Sequence, residues 1–67
     1  MTLEDFFAAL QNKNMVVAVI KDGFELTKIY ASGYEQLLTT LLEEEVEKIT
    51  IANTNNATVE LVGTVSA

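Results

Sequence analysis

The densest grouping of titratable side chains in this sequence is Glu43, Glu44, Glu45 and Glu47. Paired carboxylates can hold a hard cation or move protons in acid–base chemistry. The spacing argues against both uses. Consecutive residues on a helix point about 100° apart, so at most two of the four converge on one point. The glycine and alternating Asp or Asn of a calcium-binding loop are also missing. The cluster therefore reads first as a solvated face, with an acidic surface for a protein partner as the functional alternative.

The remaining chemistry is sparse. There is no His, Cys, Trp or Pro, and all four basic residues are lysines. Thiolate and imidazole nucleophiles, disulfides, ordinary zinc sites and guanidinium clamps on phosphate are excluded by residue type. Neither a catalytic residue nor a cofactor or metal site emerges, and the expectation is a protein that is not an enzyme. Asp22-Gly23 is explained by turn chemistry, and Gly33 lacks the further glycines and lysine of a phosphate loop. Phe24 and Tyr30 suggest a base-stacking platform, but ten acids against four lysines give a formal charge of −6, which repels nucleic acid and anionic membranes. Packing in a core or dimer interface suits these aromatics better.

What must position these residues is a chain of 67, the size of one small domain, residues 1–67. A chain near this length buries only about 60% of the surface its unfolded form exposes, and its core supplies roughly 3–5 kcal/mol net. Yet 49% of the residues are hydrophobic, with no disulfide to staple the fold. Surplus apolar surface is best buried by association with a second copy or another protein. The longest apolar run, 15–20, is too short to cross a bilayer, and acids stand where a signal peptide carries lysines. A cytoplasmic location is expected.

Leu3, Phe6, Phe7 and Leu10 recur at helical spacing, with Thr2 as cap and Asp5 three residues on, close to a capping box. Asn12, Lys13 and Asn14 end this helix. The apolar run to Ile20 followed by Asp22-Gly23 predicts a hairpin closed by a two-residue type I′ turn, with a second strand from Phe24 to about Ala31. With Lys21 opposite Phe24, Val19 meets Leu26, Val17 meets Lys28 and Met15 meets Tyr30 on one face. Val16 with Ile29, Ala18 with Thr27 and Ile20 with Glu25 form the other. The first strand is apolar on both faces, which predicts a central place in the sheet or a face covered by another molecule. Met15, Val17, Val19, Phe24, Leu26 and Tyr30 form the candidate apolar interface.

Ser32 and Glu35 have capping-box spacing, and Tyr34, Leu37, Leu38, Leu41 and Leu42 form a stripe, which together predict one long helix ending at the glutamates. Ile49 and Ile51, then Val59 and Leu61, alternate as a second hairpin. A three-residue loop Thr54, Asn55 and Asn56, with Asn56 left-handed, pairs Ile51 with Val59 and Ile49 with Leu61. Residues 63–67 are expected to fray unless paired. The predicted architecture is α+β, in the order α-β-β-α-β-β, with a four-stranded antiparallel sheet and the helices on one face.

The stretch TLEDFF at 2–7, the Asp-Gly hairpin and LLEEEVEKITIANTNNATVELV at 41–62 resemble small uncharacterised α+β accessory proteins of bacteriophages and mobile elements of Gram-positive bacteria. The likeness spans most of the chain at the level of pattern. It implies an accessory protein that acts by binding host or phage proteins, and assigns no residue a catalytic role. Two functions remain in view. One is a small acidic, self-associating protein-interaction module. The other is an acidic inhibitor of a DNA-binding defence protein, of the anti-restriction or anti-CRISPR type, presenting carboxylates in place of phosphates.

Overall fold

The computed structural model describes residues 1–64. Helix α1 (Leu3–Ala9) opens with the expected capping box: the Thr2 side chain accepts from the Asp5 amide, and the Asp5 carboxylate accepts from the Thr2 amide. Strands β1 (Val16–Lys21) and β2 (Phe24–Tyr30) follow, then a 3₁₀ segment (Ala31–Gln36), a single-turn helix α2 (Thr39–Leu42), and strands β3 (Val46–Asn53) and β4 (Asn56–Leu61).

The four strands form one sheet in the order β2-β1-β4-β3. It is mixed, which corrects the expectation of an all-antiparallel sheet: the two hairpins are antiparallel, but β1 and β4 run parallel at its centre. A sequence pattern marks each hairpin and carries no signal for how the two dock. The apolar character of β1 on both faces is explained by its central place, between β2 and β4.

The predicted long helix is not formed. The chain is extended at Leu37 and Leu38, with ψ of 154° and 140°, which separates the 3₁₀ segment from α2. The topology gives the reason. β2 and β3 lie on opposite edges and run the same way, so residues 31–45 must cross three strand spacings, roughly 14 Å, and climb back about 20 Å. A continuous helix over 32–45 rises about 21 Å. A 3₁₀ turn at about 2.0 Å per residue and two extended residues supply the extra length. The break leaves Leu38 75% exposed, while Tyr34, Leu37 and Leu41 pack against the core.

The first turn forms as expected, with φ of 52° at Asp22 and 82° at Gly23. The expected register holds for Lys21 with Phe24 and Ile20 with Glu25, and then a bulge at Leu26 shifts it by one. Val19 faces Thr27, Ala18 faces Lys28, Val17 faces Ile29 and Val16 faces Tyr30. The second hairpin turns on Thr54 and Asn55, two residues rather than three, and Asn56 is not left-handed. The Asn53 side chain accepts from the Asn55 amide and holds the turn. Ile51 faces Ala57 and Ile49 faces Val59, with bulges at Glu47 and Ala52 that keep both isoleucines on the side of the buried residues of β4.

One cluster forms the core. Leu3, Phe6 and Phe7 of α1 meet Met15, Val17 and Val19 at β1, Ala57, Val59 and Leu61 of β4, and Ala31 and Leu42 from the connection. No charged or polar residue among the described ones is buried. Of the predicted terminal fray, Thr64 is tied down, donating from its amide and hydroxyl to the Asp22 carboxylate at 3.0 and 2.7 Å; residues 65–67 lie outside the described residues.

Candidate interaction surfaces

The four glutamates fall where the chain leaves α2 and enters β3. Glu43 caps the C-terminus of α2 and points to solvent. Glu44 is half-buried and paired with Lys21, which projects on the core side of β1. Its backbone carbonyl accepts from the Leu3 amide at 2.9 Å. Glu45 accepts from the Met1 amino group at 3.2 Å, and its carbonyl accepts from the Val62 amide. Glu47 is the bulged residue of β3. The run therefore does several jobs in holding α1 to the start of β3, and its side chains diverge. Among the described residues no three acidic side chains are grouped to hold a metal ion.

The six residues of the candidate apolar interface are not on one face. Met15, Val17 and Val19 are buried in the core, whereas Phe24, Leu26 and Tyr30 are exposed, Phe24 by 74% and Tyr30 by 63%. The bulge at Leu26 separates them. Phe24 lies opposite Lys21 on the core side, and Tyr30 lies opposite Val16 on the reverse side. Tyr34 stacks on Phe7, and the Lys13 amine sits 5.4 Å over its ring. The same amine donates to the Phe7 carbonyl at the C-terminal end of α1, where a cation is favoured.

The reverse side of the sheet forms a regular array, because all four strands are in register there. Tyr30, Val16, Asn56 and Asn53 make one row; Lys28, Ala18, Thr58 and Thr50 the next; Glu25, Ile20, Glu60 and Lys48 the third. Val16, Ala18 and Ile20 of β1 form a half-buried apolar column, flanked on β2, β4 and β3 by Tyr30, polar side chains and charges of both signs. At its lower end a shallow depression of about 450 Å³ is lined by Ile20, Asp22, Glu47, Glu60 and Val62, with the hairpin glycine on its rim. Three carboxylates and no lysine line it.

Two further exposed apolar residues, Ile49 and Ile51, were legible in the sequence as core-facing residues of a hairpin. They are in register with Val59 and Ala57, yet stand 39% and 54% exposed. The missing signal was strand order: β3 is an edge, and its extensive contacts are with β4 alone.

The chain matches no protein-family model, and no curated protein or solved structure is significantly similar to it. Among the described residues no helix is long and apolar enough to cross a membrane.

Proposed function

We propose that this chain is a small, acidic, non-enzymatic protein-interaction module that associates with copies of itself. The supporting observation is the set of large apolar side chains left in water around a small core, from Phe24 and Leu26 on one edge strand to Ile49 and Ile51 on the other. Burial of apolar area is the main driving force for association, at about 25 cal/mol per Å². The reading takes the helices to cover one face of the sheet. In its favour, the buried residues of β1 and β4 alternate with less buried ones, and α1 joins the same cluster. A cytoplasmic setting and an origin in a phage or mobile element belong to this proposal and rest on the sequence pattern alone.

Light scattering behind a sizing column tests it. The reading expects a dimer or larger whose mass is the same in low and high salt, because apolar association is not screened. A monomer at every concentration overturns it.

The alternative, an acidic mimic of nucleic acid, is favoured by the exposure of Glu43, Glu45 and Glu47 at one end of the molecule. It predicts a salt-sensitive complex with a DNA-binding protein that Glu43→Gln, Glu45→Gln and Glu47→Gln together abolish.

A further inference from the structure

We propose that the copies join through strand β3, paired antiparallel about a twofold axis at Thr50, so that the two sheets become one. This rests on the self-association reading above and names its surface. Four observations converge on it. β3 ends the sheet, and beyond Val46, whose amide donates to the Met1 carbonyl, one row of its backbone amides and carbonyls lacks a neighbouring strand. No helix packs extensively over it. The core-side rows Ile29, Val17, Ala57, Ile51 and Thr27, Val19, Val59, Ile49 run across the sheet and stop, half-covered, at this edge. Finally, a molecule of charge −6 repels its copy wherever acids meet, and residues 48–59 contain none of the ten acids and one lysine. A longer acid-free stretch, 6–21, runs from α1 through the central strand β1, whereas 48–59 includes the edge.

Register follows from geometry. Residues directly opposite in an antiparallel pair share a face, so a twofold must place a residue opposite itself. With Thr50 on the axis, Ile49 meets Ile51 of the copy and Ile51 meets Ile49, and all four isoleucines form one patch continuous with both cores. An axis at Ile49 or at Ile51 pairs one isoleucine with itself and leaves the other opposite Glu47 or Asn53. The opposite edge fits less well. On β2 the exposed Phe24 and Tyr30 lie on opposite faces of the sheet, and one partner strand cannot cover both.

The chain has no cysteine, which permits a direct test. Residues facing each other across antiparallel strands have Cα atoms about 4.5–5.5 Å apart, within disulfide range. Thr50→Cys is expected to form a covalent dimer rapidly under mild oxidation, and Lys28→Cys, on the other edge, to remain mostly uncrosslinked. Alongside it, Ile51→Lys is expected to give a monomer with an unchanged circular dichroism spectrum, since Ile51 already stands half in water. Crosslinking at Lys28 but not at Thr50, or an Ile51→Lys protein that keeps the parent's dimeric mass, overturns the β3 surface while leaving self-association intact. A parent protein that is monomeric throughout overturns both.

Discussion

The rings of Phe7 and Tyr34 stack 8° from parallel with centroids 5.2 Å apart, and Phe6 meets the edge of Phe7 at 5.5 Å. This stack joins α1 to the 3₁₀ segment, two elements that hold little backbone structure in common. Phe7 is fully buried. Truncating a buried phenylalanine costs about 3–5 kcal/mol, which matches the whole net stability of a domain this small. Phe7→Ala is therefore expected to leave the chain largely unfolded at 25 °C, and Tyr34→Phe, which keeps the stack, to leave it folded. Urea titration followed by circular dichroism distinguishes the two.

Gly23 occupies φ +82° in the first turn, and a Cβ there would meet nothing within 4 Å. The cost of Gly23→Ala is therefore conformational alone, about 1 kcal/mol. For a domain of this size that lowers Tm by about 4–8 °C. A thermal melt showing no change would mean the turn relaxes to another type.

Two local signals were legible in the sequence, while the Ser32–Glu35 cap and the Thr54–Asn56 loop, also local, did not form as expected. Thr2 with Asp5, and Asp22 with Gly23, fix their own turns through hydrogen bonds and φ preferences contained within four residues. The break at Leu38 answers to a distant part of the chain. Leu38 is extended because the crossing from β2 to β3 demands length, and that demand exists only once the parallel docking of β1 with β4 is known. The same blindness split the candidate interface. Val17 and Tyr30 share a face under the regular register, and one bulged residue sends them to opposite sides. Ile49 and Ile51 carried the right pattern for a core, but alternation is silent about whether a strand lies at the centre or the edge.

Lys21 and Glu44 form a partly buried ion pair, with side chains 19% and 30% exposed. Lys21 stands on the apolar side of β1, so Lys21→Met puts a well-suited side chain there and lets Glu44 turn toward water. Its effect is expected within about 0.5 kcal/mol. Glu44→Gln leaves the less exposed amine without its counter-charge and costs about 1 kcal/mol, a figure reduced for solvent screening. Chemical denaturation in urea reads both, and raising the salt concentration should shrink the Glu44→Gln cost.

The capping box gives a pH dependence with a definite sign. The Asp5 carboxyl is held below its ordinary 3.8, first by the hydrogen bond from the Thr2 amide and then by that from the Thr2 hydroxyl. A carboxylate with a depressed folded-state pKa contributes stability that is complete above the ordinary value and is lost as pH falls through the depressed one. Asp5→Asn removes the charge that both the cap and the N-terminal end of α1 favour. Thermal melts of the parent and of Asp5→Asn are therefore expected to differ at neutral pH and to converge as the pH is taken below the ordinary aspartate range. A gap that persists unchanged in acid would mean that Asp5 acts through its hydrogen-bonding shape alone, with no contribution from its charge.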